Sequence, residues 1–456
     1  MKRNRIVLNP SNGLFLTVLS ASCFLLLIWA ITGCKKSVST QTISGLGKVN
    51  HVVVIYLENH SFDNLFGEFP GANGFANGTI KQTDSSGNPY AVLPPIPNAA
   101  AFPNNLPNAP FNIDQYVAAN MNIPDLVHRY YQEQQQINGG KMDKFALISN
   151  AKALAMGYYK TSGLPLAAEA SKYTLCDNFY HSAFGGSFLN HIFFIAAASP
   201  IFSNAPASMV AQVDAQGKLV KDGAVTPDGF VVNTAFTVNA PHPANAAASQ
   251  LVPNQTMPTI GDRLSEKNID WAWYSGGWND ALAGNPDPTF QFHHQAFAYF
   301  KNYADGTEAK KNHLKDEIDF IAAAKNGLLP AVSFVKPLGY NNEHPGYADV
   351  ITGEKHAVDL INAVRNGPNW KDAVIILTYD ENGGFWDHVA PPVIDKWGPG
   401  SRVPGLIISP FAKTGFVDHT QYETLGILSL IEKRWEITPL NSRDGNAHYF
   451  ENAFNF

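Results

Sequence analysis

"AVSFVKP" (residues 331–337), "ADVITGEKHAVDLINAVRNG" (348–367) and "AVIILTYDE" (373–381) follow one another with short spacers. The outer two are short, β-branched apolar runs of the kind that form buried strands. The middle one repeats its apolar residues at intervals of three and four, which predicts an amphipathic helix. Strand, helix, strand at this spacing predicts an α/β fold with a parallel sheet covered by helices. "HVVVIYLE" (51–58), "IDWAWYSG" (269–276) and "VPGLIISP" (403–410) read as further buried strands. Ligands of such sheets gather at the carboxyl ends of the strands, so those ends come first in any search for a site.

The composition permits a large core. Of 456 residues 45% are hydrophobic, 12% aromatic and only 15% charged, which argues against extensive disorder. The length fits one α/β domain with insertions over residues 49–456, and two domains are equally compatible. A formal net charge of -6 gives no basic footprint for nucleic acid. No internal repeat is visible, which sets solenoids and propellers aside.

Residues 1–34 follow a different pattern. Lys2, Arg3 and Arg5 precede an uncharged, mostly apolar stretch from Leu14 to Ile31 that ends in "ITGC", a secretory-signal pattern. The ending resembles a lipobox, which implies a lipid-anchored, exported protein with Cys34 as the acylated residue. A single signal-anchor helix is the alternative, because about 18 apolar residues just span a bilayer. Residues 35–48, "KKSVSTQTISGLGK", suit a flexible tether. Cys176 is then the single thiol left, unable to form an intrachain disulfide, and its apolar flanks suit a buried inert cysteine. The Pro- and Asn-rich residues 88–110 read as a loop without helix, and residues 203–225 as an insertion carrying a small hairpin.

The strand ends hold the polar residues. "HVVVIYLENHSF" gives way to Glu58 and Asn59, and "AVIILTYDENGG" to Asp380, Glu381 and Asn382 followed by two glycines. Three carboxylates and a carboxamide brought together call for a cation between them or for a raised pKa. An oxygen-rich set of this kind favours a hard or borderline divalent ion. The alternative is local: Asn59 or Ser61 caps a helix at "SFDNLFG", and the acids are turn residues. Ser187 follows Gly185 and Gly186 and precedes an apolar helix; it is either a hydroxyl poised at a phosphate site or simply the helix N-cap. "FQFHHQAF" holds His293 and His294, His344 lies in a polar turn beside Pro345, and His128 in a helical setting; taken singly, each histidine is more often a hydrogen-bonded structural residue.

Taken in order, "ENHSFDNLFG", "NGGKMDKF", "GGSFLNH", "FHHQAF", "NNEHPGYAD", "YDENGGFWDHVAPP" and "RVPGLIISPFA" resemble the motifs of the bacterial phosphoesterase family. That family includes non-haemolytic phospholipases C and acid phosphatases, and the resemblance runs from about Val49 to Trp435. It implies an alkaline-phosphatase-like α/β fold and a metal-assisted hydroxyl nucleophile. By it, Glu58, Asn59, Asp380 and Glu381 correspond to the ligands of a divalent metal ion and Ser187 to the nucleophile. His128, His294 and His344 resemble the phosphate-contacting and leaving-group histidines, with His293 beside them.

Phospholipase members have Thr followed three residues later by Asn-Arg, whereas Ser187 is followed by Asn190 and His191, as in the acid phosphatase branch. Phospholipases of the family often carry C-terminal β modules, and this chain ends soon after Trp435. Both features favour a phosphate monoester substrate, and neither excludes a diester; the metal-assisted serine nucleophile implies a phosphoserine intermediate. A phospholipase C acting on a headgroup diester is the enzymatic alternative, with Trp271, Trp273 and Trp278 either candidates for an aromatic headgroup pocket or, at least as readily, core residues. A surface binder of phosphate or glycan is the non-enzymatic one. Histidines with their unperturbed pKa near 6.5 imply activity that rises below about that pH.

Overall fold

Seven residues, His51–Leu57, form the central strand β1, and from Val52 onward every one of them is buried. A strand so apolar on both faces has to be covered on both, and the rest of the chain does this. The computed structural model describes residues 45–77 and 80–456. The signal-type segment, Cys34 and most of the tether stretch lie outside the described residues; Gly45–Lys48, at the end of that stretch, form a 3-10 turn with Leu46 buried.

In chain order the remaining strands of the main sheet are β2 (Thr174–Cys176), β3 (Trp271–Ser275), β4 (Leu314–Asp316), β5 (Val332–Lys336), β6 (Ala373–Tyr379), β7 (Gly405–Ile408) and β8 (Phe416–Asp418). They lie in the order β8-β2-β7-β6-β1-β5-β3-β4. The strand pair that opened the sequence argument is indeed parallel, but β1 is inserted between its members. Val54 of β1 faces Phe334 on one side and Ile376 on the other. Only β7 opposes its neighbours: it pairs antiparallel with both β6 and β2.

The helices used below are α1 (Phe62–Phe66), α2 (Tyr130–Ile137), α3 (Ser187–Ala196), α4 (Glu317–Asn326) and α5 (Val350–Arg365). The register shows that both sheet faces are covered. Tyr56 and Phe334 point to the same face, where Phe194 of α3 packs with ring centroids 5.0 and 5.5 Å away. Tyr274 points to the opposite face and meets Phe320 of α4 at 5.5 Å. α5 is capped by Asp349, whose side chain accepts from the Thr352 N–H at 2.8 Å.

Trp271, Trp273 and Trp278 are all buried, and the Trp273 indole donates to the His294 carbonyl at 2.8 Å. They are core residues and do not line a headgroup pocket. Cys176 is buried in β2, where burial pushes its thiol pKa up. Residues 212–213 and 219–221 pair antiparallel, the small hairpin expected in the 203–225 insertion.

Candidate active site

Adjacent parallel strands end side by side, so β1 and β6 deliver Glu58 and Asp380 to one edge of the sheet, followed by Asn59 and Glu381. All four are buried. Two backbone features make the convergence possible. Asn59 has a φ of 66°, a left-handed conformation that asparagine tolerates better than most residues. Gly383, with φ 62°, passes so close that a Cβ there would stand 2.0 Å from the Asn59 carbonyl oxygen. Asp380 accepts the Asn59 N–H at 3.2 Å and the Glu381 N–H at 2.8 Å, while Glu381 accepts from Gly383 N at 2.6 Å.

Ser187 is the first residue of α3, and Gly186 is the N-cap, so the capping alternative for the serine does not hold. Its hydroxyl instead donates to Glu58 Oε2 at 3.0 Å and lies 3.3 Å from Asn59 Oδ1. Ser61, by contrast, does cap α1, accepting from the Asn64 N–H at 3.2 Å, which leaves Asn59 to the site.

The orientation of the Asn59 carboxamide follows from its neighbours. His128 Nδ1 donates to the Leu126 carbonyl and His344 Nδ1 to the Pro345 carbonyl, each at 2.5 Å, so in the neutral rings both Nε2 atoms are acceptors. These Nε2 atoms lie 3.4 and 2.9 Å from one end of the Asn59 amide, which has to be its NH2 group. The oxygen then faces Glu58 Oε2 at 2.9 Å, Glu381 Oε1 at 2.8 Å and Asp380 Oδ1 at 3.2 Å. Acceptors converging this closely on one another repel unless a cation or protons lie among them. The carboxyl groups respond accordingly. Burial and the neighbouring Glu58 push Asp380 up to about 7, and burial and Asp380 push Glu381 well above its usual range. The donor set fits a divalent cation, which would keep all three acids ionised.

Glu58 behaves differently. Burial works to raise its pKa, but the Lys336 ammonium and His294, whose nitrogens lie 2.5 and 2.7 Å from Oε1, hold it well below the usual carboxylate range. Lys336 ends β5, is fully buried, and also donates to the Leu57 carbonyl at 3.2 Å. His191, on α3, donates to the Ser187 carbonyl at 2.7 Å and stacks on His294 with centroids 5.1 Å apart. The sequence reading assigned neither Lys336 nor His191 to the site. A lysine closing an apolar run reads as a strand end reaching for water, and the three-residue step from Ser187 to His191's neighbour Asn190 was the only hint that this helix face mattered.

A cavity of about 280 Å3 opens over this edge, lined by Glu58, Ser187, His293, His294, His344 and His128 among others. All the site residues expected from the sequence are therefore brought together. His128 is not helical, however: it stands just before Arg129, the extended N-cap of α2, and its Nε2 lies 3.4 Å from the Asn59 amide. Burial lowers the pKa of His293 and His344 and brings His294 down to about 4. His293, His294 and His344 are therefore neutral near pH 6.5 in the free site and do not supply the rise in activity below that pH expected from unperturbed histidines.

The sequence model of the Phosphoesterase family matches residues 49–438, and the chain belongs to that family. It is 25% identical to the non-hemolytic phospholipase C of Pseudomonas aeruginosa over 452 residues, covering 90% of this chain and 58% of that one. It is also 25% identical to phospholipase C B of Mycobacterium tuberculosis over 456 residues, covering 90% of this chain and 78% of that one. The chain thus spans little more than half the length of the Pseudomonas protein. Among solved structures it is similar to a protein in the alkaline phosphatase superfamily from Vibrio parahaemolyticus, with a TM-score of 0.34, 10% identity and coverage of 71% and 72%. Among the described residues no helix is long and apolar enough to cross a membrane.

Proposed function

We propose that the protein is a metal-dependent phosphoesterase that hydrolyses phosphate monoesters through Ser187. The observation that carries this reading is the Ser187 hydroxyl donating to Glu58 Oε2 at the edge of a buried ring of acceptor oxygens. Glu58, Asn59, Asp380 and Glu381 would hold a divalent ion, which supplies Lewis-acid stabilisation of charge on a phosphoryl oxygen and lowers the pKa of a nearby hydroxyl. Ser187, first in α3, presents its oxygen beside the unpaired N–H groups of that helix, where a phosphoryl group is favoured. As its oxygen attacks, the Ser187 proton leaves along the hydrogen bond it already makes to Glu58 Oε2 at 3.0 Å. His294 and His344 border the cavity and are placed to serve the departing oxygen, with His128 and His293 beside them. Water then cleaves the phosphoserine.

A phospholipase C acting on a headgroup diester is the second reading, favoured by the names of the relatives. The cavity's size and polar lining favour the monoester. Upstream of the domain, the "ITGC" stretch supports attachment through a lipid on Cys34 in the cell envelope.

Hydrolysis of p-nitrophenyl phosphate by residues 35–456 tests the reading. Ser187→Ala and a chelator should each lower kcat by more than about 10^3-fold. Undiminished turnover in Ser187→Ala would dismiss the serine mechanism, and cleavage of phosphatidylcholine alone would favour the phospholipase. No turnover of either substrate with divalent metals present would leave a binder of phosphate or glycan.

A further inference from the structure

We propose that Arg129 forms a second anion site at the mouth of the cavity, so that the preferred substrates are small phosphate monoesters whose leaving group carries a further negative charge. The inference rests on the monoesterase reading above and names the substrate class of that same site.

Arg129 lines the same cavity as Ser187, and its side chain is 39% exposed there. It is not a freely swinging surface arginine. Its Nε donates to Asp222 Oδ2 at 2.5 Å, and that same oxygen accepts from Gln132 Nε2 at 2.8 Å. Asp222 Oδ1 in turn accepts the Gly223 N–H at 2.8 Å. Asp222 follows directly on the Leu219–Lys221 strand of the insertion hairpin, so the insertion holds this arginine at the cavity. Among the described residues no protein acceptor bonds to the two terminal nitrogens of Arg129, which leaves the fork that matches a carboxylate or a phosphate available.

The surroundings agree with a hydrophilic, anionic leaving group. Thr234 and Gln291 line the same cavity, and neither side chain has a hydrogen-bond partner among the described residues. Besides Asp222, which is held on Arg129, the carboxylate near the mouth is Asp125, half-exposed and 3.6 Å from His128 Nδ1. A cavity of about 280 Å3 suits a compact ester. A quaternary ammonium headgroup would meet the guanidinium as a like charge, with Phe188 and Tyr347 the aromatic residues of the lining.

Two esters that differ in a single group make the test: 2-phosphoglycerate, which carries a carboxylate, and glycerol 2-phosphate, which has a hydroxymethyl group in its place. The wild type should prefer the first by about tenfold or more in kcat/KM, mostly through KM. Arg129→Met should bring that ratio near one, Arg129→Lys should retain part of it, and Asp222→Ala should reduce it by releasing the guanidinium. A change in general stability or in positioning of Ser187 would move both esters alike and leave the ratio intact. Equal turnover of the two esters by wild type, or an unchanged ratio in Arg129→Met, overturns the second anion site alone. Turnover of neither ester sinks the monoesterase reading together with it.

Discussion

Lys336 is the residue on which the charge balance of the site turns. It is fully buried, 2.5 Å from Glu58 Oε1, with the Tyr56 ring 5.1 Å below its ammonium. A lysine without access to water survives only with a fixed counter-charge, and Glu58 survives beside Asp380 and Glu381 for the same reason. Lys336→Met should therefore cost about 3–5 kcal/mol in urea unfolding at pH 7 with chelator present, because it strands a buried carboxylate. Adding Glu58→Gln should recover a good part of that loss, a coupling a double-mutant cycle reads directly. A cost below about 1 kcal/mol would mean that the pair contributes little to the fold. None of this was legible in "AVSFVKP", since the chemistry of Lys336 depends on a strand almost 280 residues away by the separation of its bonded partner Leu57. Glu58, Asp380 and Glu381 were legible, because each stands directly after a long apolar run and strand ends of parallel sheets are where polar groups meet.

At the scale of elements, α2 fastens the loop that leads into α3. Glu133 Oε1 lies 2.9 Å from His181 Nε2 and accepts the Ser401 N–H at 3.0 Å, while Oε2 accepts the Gly185 N–H at 2.6 Å. His181 Nδ1 donates to the Ala183 carbonyl at 2.8 Å, so with Glu133 on its other nitrogen the ring is doubly protonated. Burial opposes the charge on both groups, yet each is held ionised by the other, with Glu133 lowered and His181 raised. The two shifts act in opposite directions with pH. The histidine's contribution is complete below about pH 6.5 and is lost as pH rises through its raised folded value; the glutamate's is present above about 4.3 and is lost as pH falls through its lowered one. The stability difference between wild type and Glu133→Gln should therefore be greatest between about pH 4.3 and 6.5 and shrink on either side, as chemical denaturation across pH would show. A difference that is flat from pH 4 to 9 would contradict an ionised pair.

The strands divide in an instructive way. β1, β3, β5, β6 and β7 were visible as apolar runs, whereas β2, β4 and β8 have three residues each, too few for a period to show. The antiparallel direction of β7 was invisible because an apolar run buried on both faces reads the same in either sense. His128 was drawn into a helix by the pattern that follows it; the helix begins only at Tyr130.

For the whole molecule, the acid cluster lies where the two central strands β1 and β6 end, so its charge state bears on the stability of the entire fold. Without a cation, burial and mutual repulsion raise Asp380 to about 7 and Glu381 further. An acid whose pKa is raised on folding binds more protons in the native state than in the unfolded one, so the metal-free protein gains stability as pH falls from about 8 toward 4. The metal-loaded protein lacks this gain, because its carboxylates are already ionised and protons compete with the ion. A divalent ion at about a hundred times its Kd adds about 2.7 kcal/mol, which is about 3 °C in Tm for a domain of this size. Calorimetry of metal-loaded and chelated protein should accordingly show a Tm gap of that order at pH 8 that narrows toward pH 5. A gap that is absent at pH 8, or that widens on acidification, would show that the carboxylates of the cluster hold protons and no ion.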